Sequence, residues 1–196
     1  MASDISIASN ALLLIGDNPI NSFDDEGAGA QVAKAMYHET KTQMLSEHPW
    51  SFATKQQRLN RLVQTPDILT NYQYAFQLPT DLIRIWNVQD HSDYMLVGDL
   101  LYSNATELLC TYIFDVEETQ LPPHFVKALQ YELAADFAIA VTEDNQMNAL
   151  YSQKSMQYKS QAMSVDSQGR PQVGIIDSPL IDVRNGGYGS RSGWGS

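Results

Sequence analysis

The acidic residues shortly before Pro122 are the first whose types could do chemistry. Asp115, Glu117 and Glu118 follow an apolar run, and two carboxylates placed across a sugar cleft are what glycoside hydrolysis requires. Adjacency of Glu117 and Glu118 in the chain does not place them on opposite sides of a bond. We therefore interpret this stretch as a solvated loop and keep hydrolysis as the alternative.

The histidines and glycines do not have the spacing of a metal or phosphate site. Gly27 and Gly29 precede a predicted helix, but they follow acidic residues instead of a strand, and no Lys-Ser or Lys-Thr completes a phosphate loop. We predict neither a metal nor a cofactor. The four histidines, none of which has a His or Cys partner at helical spacing, are His38, His48, His91 and His124.

Two further patterns are also explained better without catalysis. Asp24-Asp25-Glu26 lacks the alternating oxygen ligands of a calcium loop, and we interpret it as a group that favours the start of the following helix. Residues 189–193, Gly-Ser-Arg-Ser-Gly, have arginine at the centre and are excluded as the nucleophile elbow of a hydrolase. The sequence therefore predicts a protein that is not an enzyme.

The net charge argues against a protein that grips nucleic acid. The 196 residues include 23 acidic and 12 basic side chains, and the resulting charge of -11 repels phosphate. An apolar content of 43% is enough for one core with an appendage. Cys110, the only cysteine, lies in an apolar run and is predicted to be a buried thiol. Without a basic N-terminal region or a bilayer-length apolar run, we expect a soluble protein made in a cytoplasm.

Helical and strand-like periods follow one another in three blocks. Apolar residues three and four positions apart predict helices over about 3–15 and 27–48, a third from Pro122, and a fourth that is capped at 143–145 and ends near Val165. Between them a period of two predicts strands. These run from Trp50 through Phe52, Thr54 and Gln56, and then over 72–78, 82–88, 94–97, 100–103 and 107–114.

Helices on both sides of a block of strands, without βαβ alternation, predict an α+β fold. We expect a four-helix bundle-like lobe from residues 1–49 and 119–168, with residues 50–118 inserted as an antiparallel β lobe. Residues 169–196 would form an extended C-terminal tail. Pro49, Trp50 and Phe52, at the helix-to-strand boundary, are candidate structural junction residues, because aromatics there more often close a core than stack on a ligand.

The tail differs in composition from the body. It holds seven glycines, and three arginines against two aspartates give it a net charge of +1. Its segment 173–184 is apolar and β-branched, which suits docking on a partner as an extended strand, although a solubility tail without a partner is the alternative. The candidate docking residues are Arg170, Val173, Ile175, Ile176, Leu180, Ile181, Arg184, Tyr188, Arg191 and Trp194.

Several segments together resemble the tail tubular protein A family of short-tailed phages. In that family a short helix ends in a Leu-Gly or Ile-Gly step, a Pro-containing loop and acidic residues follow, and a second helix leads into a Trp-x-Phe junction. Here these features are found in residues 11–25, Ala-Leu-Leu-Leu-Ile-Gly-Asp-Asn-Pro-Ile-Asn-Ser-Phe-Asp-Asp, in 33–45, and in His48-Pro-Trp-Ser-Phe-Ala53. Leu78-Pro-Thr-Asp-Leu-Ile-Arg84 and Leu121-Pro-Pro-His-Phe-Val126 extend the resemblance to about residues 3–165.

The resemblance implies a head-to-tail adaptor in the neck of a virion. It implies a dodecameric ring between the portal protein and the tail nozzle, which is a hexamer of tail tubular protein B. DNA would pass through the channel during ejection without sequence-specific binding, and tail fibres would attach near the nozzle. We therefore expect the helical lobe to build the ring wall and residues 170–194 to dock on the portal.

Two rival hypotheses remain open at the level of sequence. One is a tail-associated hydrolase of bacterial surface polysaccharide, which would use acidic residues such as Asp115 and Glu117. The other is an intracellular binding module that recruits a single partner through its tail and stays monomeric. Mutation of the two carboxylates separates the first hypothesis from an adaptor, and electron microscopy with the portal separates the second.

Overall fold

The computed structural model describes residues 2–63, 71–88 and 93–169. Within these ranges the chain order of helices, then strands, then helices confirms the predicted α+β class. No described helix is both long and apolar enough to cross a lipid bilayer. The helices are α1 (Asp4–Leu14), α2 (Ala28–Glu47), α3 (Pro123–Thr142) and α4 (Asn145–Gln168). The strands are β1 (Thr54–Arg58), β2 (Asn60–Arg61), β3 (Tyr74–Gln77), β4 (Leu82–Val88), β5 (Tyr94–Val97), β6 (Leu100–Ser103) and β7 (Leu109–Phe114).

Local sequence determines where three of the helices begin. At the start of α1, the Ser3 and Ser6 side chains each accept a hydrogen bond from the other residue's backbone N–H, which forms a capping box. Asp144 accepts from two backbone N–H groups in the first turn of α4. Pro123 occupies the first turn of α3. Backbone N–H groups in the first turn have no partner within the helix, so the missing N–H of proline costs no hydrogen bond there. The predicted helix starts agree with these positions.

The start of α2 depends on a close approach by the preceding loop. Its N-cap, Gly27, has no side chain that could cap the helix. The Asp17 carboxylate instead lies against Gly29, where an added Cβ would come within 2.3 Å of Asp17 Oδ2. Negative charge is favourable at this end of a helix. Asp24, from the acidic group noted in the sequence, pairs with Lys34 of α2 at 2.7 Å.

The strands form two antiparallel sheets, with strand orders β1-β7-β4 and β2-β3-β6-β5. In the first sheet β1 pairs with β7 from Thr54 opposite Ile113 to Arg58 opposite Leu109. In the second, β5 and β6 form the predicted hairpin around Gly98, whose φ of 61° suits a tight turn.

One local prediction is wrong, and one strand is not predicted. The alternation of Phe52, Thr54 and Gln56 predicts a strand from Trp50 onwards, but Ser51–Ala53 form a 3-10 turn and β1 begins at Thr54. The backbone turns because Trp50 is directed back into the helical core, where it is fully buried. Strand β2 is not predicted, since two residues are too few to show alternation.

Two apolar cores lie side by side and meet at β7. The larger one is formed by the helices and also includes Trp50 and Ile113. The smaller one lies between the sheets and includes Cys110 and Tyr112 of β7. Cys110 is buried, as predicted, and burial raises the pKa of its thiol to about 11. One strand therefore joins the two cores, so the β lobe is not packed independently of the helices.

Candidate functional site at the junction of the two lobes

The chain leaves the helices through residues 48–53, here called the outgoing crossing. Trp50 Nε1–H donates a hydrogen bond to the carbonyl of Met44 in α2 at 3.2 Å. The Phe125 ring of α3 contacts Trp50 and Phe52 edge to face, with centroid distances of 5.0 and 5.1 Å. Pro49 is buried beside them. Of the three junction residues named from the sequence, the structure thus places Trp50 and Phe52 in an aromatic cluster with Phe125, and Pro49 directly precedes them in the chain.

A buried carboxylate from α4 ties down the same crossing. Asp166 is 5% exposed, and its two oxygens accept hydrogen bonds from the Ser51 backbone N–H at 3.0 and 3.1 Å. The Ser51 hydroxyl donates a third bond at 2.5 Å, and His48 Nε2 lies 3.8 Å from the same carboxylate. Because a buried carboxylate needs donors, this site holds the last turn of α4 against the start of the β lobe.

The chain returns to the helices through residues 115–121, here called the return crossing, which is held by a buried ammonium group. Lys41 of α2 is 3% exposed, and its Nζ lies 2.9 Å from both Asp115 and Glu118. The Tyr37 hydroxyl donates to Glu118 at 3.4 Å. Burial, reinforced by the Glu118 charge, raises the pKa of Tyr37 well above its usual value, so Tyr37 stays a neutral donor.

A further contact joins β4 to the end of α2. The Arg84 guanidinium donates to the backbone carbonyl of Ser46 at 2.9 Å. Together with the two crossings, this bond connects the sheets to the helices at three separated points. These contacts hold the sheets in a fixed position relative to the helices.

The residues proposed for the hydrolase alternative have other surroundings. Asp115 is bound by Lys41, and Glu117 is exposed at the start of a 3-10 turn. Within residues 2–63, 71–88 and 93–169, no three His, Cys, Asp or Glu side chains are grouped as metal ligands. The Asp115 carboxylate therefore has a structural partner at the return crossing.

Sequence reasoning missed Lys41, Ser51 and Asp166, although two of them carry a recognisable signal. Lys41 lies on the buried face of α2 between Tyr37 and Met44, where an apolar residue is expected. Asp166 likewise follows Ala162 on the buried face of α4. A charged residue inside an apolar stripe indicates a buried partner, but periodicity does not identify that partner.

The predicted portal-docking residues 170–194 lie outside the described residues. The structure does place their point of departure, because α4 ends at Gln168 and Asp166 is bonded to Ser51. The tail thus starts beside the outgoing crossing.

The junction lies inside the part of the chain that matches a known family. Residues 8–133 match the sequence profile of a family described as tail tubular protein, which covers more than half of the chain and both crossings. The chain belongs to the tail tubular protein family. A tail tubular protein is a structural component of the phage tail, and the virion tail is accordingly where this chain is located. No curated protein sequence matches it.

Proposed function

We propose that this tail tubular protein is the head-to-tail adaptor of a short-tailed phage. It forms a dodecameric ring between the portal and the nozzle hexamer of tail tubular protein B, and it is made in the host cytoplasm before it joins the virion. The observation that carries the proposal is the family match over residues 8–133, which includes most of α1, all of α2, the sheets and both crossings.

The charge of the chain supports a role as a conduit. A net charge of -11 disfavours retention of DNA, so DNA is able to pass through the ring during ejection without sequence-specific binding. The three links between the lobes support a role in a mechanically stable assembly, because a ring that joins head to tail must keep its shape. In this proposal residues 1–49 and 119–168 build the ring wall, and tail fibres attach at or near the junction of the adaptor and the nozzle.

We further propose that residues 169–196 dock on the portal. The tail carries +1 whereas the whole chain carries -11, and its segment 173–184 is apolar enough to add to a partner as an extended strand. Its point of departure beside Ser51 lets a bound tail act directly on the fixed junction.

Deletion of residues 169–196 tests this docking. We expect the truncated chain to keep its circular dichroism spectrum and melting temperature but to lose co-sedimentation with the portal. A full-length chain in which residues 173–184 run in reverse order is the matched control, since it keeps length, charge and composition and is also expected not to bind. Portal rings decorated equally by the truncated and intact chains in electron micrographs would overturn the proposal.

A further inference from the structure

A surface between α3 and α4 combines two lysines with three tyrosines. Tyr131 stacks on Tyr158 with ring centroids 4.7 Å apart, and Tyr151 lies 6.1 Å from Tyr131. Lys127 Nζ lies 5.0 Å from the Tyr131 centroid, and Lys154 Nζ lies 5.8 Å from it. We call these five residues the cation–tyrosine seam.

The two lysines of the seam differ from the other four lysines of the chain in their lack of an ion pair within the described residues. All six lysines lie in the described residues. Neither Lys127 nor Lys154 has a carboxylate at ion-pairing distance among the described residues, and neither has an acidic residue three or four positions away on its helix. Glu132, next to Tyr131, is engaged by Ser155 and Lys159. The lysines that do form ion pairs with carboxylates are Lys34, Lys41, Lys55 and Lys159.

The seam is shaped to receive carboxylates and not nucleic acid bases. Tyr131 and Tyr151 are each 9% exposed, so their ring faces are not open for a base to stack on, as single-stranded nucleic acid binding requires. The third ring, that of Tyr158, is half-buried, and it stacks on Tyr131. What the seam presents is therefore a pair of ammonium groups beside two buried rings and one half-buried ring. An acidic protein surface fits this presentation.

The complementary charge is concentrated near the N terminus of the chain. Residues 1–33 contain five carboxylates and no lysine, arginine or histidine. Asp17, Asp24, Asp25 and Glu26 in the connection between α1 and α2 form what we call the acidic loop. Glu26 is exposed, and the Asp24 side chain is 80% exposed although it pairs with Lys34. No ion pair joins the acidic loop to the seam within the described part of one copy.

We propose that the acidic loop of one copy docks on the cation–tyrosine seam of the next copy. The contact rests on the adaptor ring proposed above. A head-to-tail contact uses two different patches, so each copy offers one of each and the contact repeats around a closed ring. The seam lies on α3 and α4, and the acidic loop connects α1 to α2, so both patches belong to residues 1–49 and 119–168, the proposed ring wall. Complementary charge at such a contact fixes its register and speeds encounter.

Cysteine pairs test the contact in the assembled ring. The variant Glu26→Cys/Lys154→Cys is mixed with its portal and treated with a short thiol-specific bismaleimide. Cys110, the only native cysteine, is buried and should therefore not react with the bismaleimide. We expect a ladder of multimers in denaturing electrophoresis, and only monomers from Glu26→Cys/Lys55→Cys, whose second cysteine lies on β1. Dimers from Lys154→Cys alone, or a ring without any ladder, would overturn the contact.

Charge reversal tests which partner the seam binds. We expect Lys127→Glu/Lys154→Glu to reduce the ring-bound fraction about tenfold or more, with an unchanged melting temperature as the control for folding. Adding Asp24→Lys/Glu26→Lys to the same chain should restore the ring. Unchanged ring assembly by the lysine variant would overturn the contact. Loss of the ring that the added lysines do not restore would also overturn it, and would assign the seam to another anionic partner such as the portal or DNA. A wild-type chain that forms no ring overturns the proposed function instead.

Discussion

The outgoing crossing is held mainly by packing, whereas the return crossing is held mainly by charge. On the outgoing side Trp50 fills the space between α2 and α3 and Asp166 accepts three bonds from Ser51. On the return side one ammonium group, that of Lys41, binds two carboxylates. Both sets of contacts join the same two lobes. The outgoing side should therefore be the more sensitive of the two to a loss of side-chain volume, and the return side to a loss of charge.

Of the changes at the two crossings, removal of the Trp50 ring should reduce stability the most. Trp50→Ala leaves a cavity next to Phe125 and deletes the bond to Met44, so we expect a loss of about 3–5 kcal/mol in the free energy of unfolding. Urea denaturation followed by circular dichroism measures it. Phe52→Leu is the matched packing change and should cost roughly 1 kcal/mol; equal losses for the two variants would contradict the central role of Trp50.

Removal of the buried ammonium group of Lys41 should cause the second-largest loss of stability. Lys41→Met leaves Asp115 and Glu118 without their cation, and we expect a loss of about 2–3 kcal/mol, below the usual range because both carboxylates keep some contact with water. Lys55→Met is the control, because its ion pair with Asp81 is solvent-exposed and should contribute less than about 1 kcal/mol. If both variants lose the same stability, the return crossing does not depend on buried charge.

The Ser51 hydroxyl should make a smaller contribution. Ser51→Ala removes one of the three bonds to Asp166 but keeps the two from the backbone N–H, so we expect a loss of about 1 kcal/mol. A double-mutant cycle with Asp166→Asn measures the coupling between the two side chains. Additive effects would show that the hydroxyl does not stabilise the crossing through Asp166.

Asp136, a carboxylate outside both crossings, should make the stability of the helices depend on pH. Asp136 of α3 accepts one described side-chain bond, from Thr40 at 3.0 Å, and burial raises its pKa. The folded state therefore holds this proton more tightly than the unfolded state, and stability falls as pH rises from about 4 through the raised pKa. We expect Asp136→Asn to be more stable than wild type at neutral pH, with the gap closing in acid.

Asp81 should give stability the opposite dependence on pH. The hydrogen bond from Lys55 lowers the pKa of Asp81, so its contribution to stability is present at neutral pH and is lost as pH falls through the lowered pKa. Asp81→Asn should therefore be less stable than wild type at neutral pH. Stability curves of the two variants that run parallel from pH 3 to pH 7 would contradict both assignments.

Much of the fold follows from sequence, and most of the junction does not. The apolar spacing of Leu12 and its neighbours predicts α1, and Pro123 predicts the start of α3, because both signals act within one or two helical turns. The bonds of the junction join positions far apart in the chain: Lys41 and Glu118 are 77 positions apart, and Ser51 and Asp166 are 115 apart. Periodicity identifies a buried face but carries no information about such partners.

The pairing of the first residue of β1 with β7 has an architectural consequence. Thr54 lies opposite Ile113 in neighbouring strands, so the polypeptide departs and comes back within about 5 Å. A hairpin-length linker would bridge that gap without rerouting any helix. A change in the length of the strands farther from the helices therefore leaves the spacing of the two crossings unchanged.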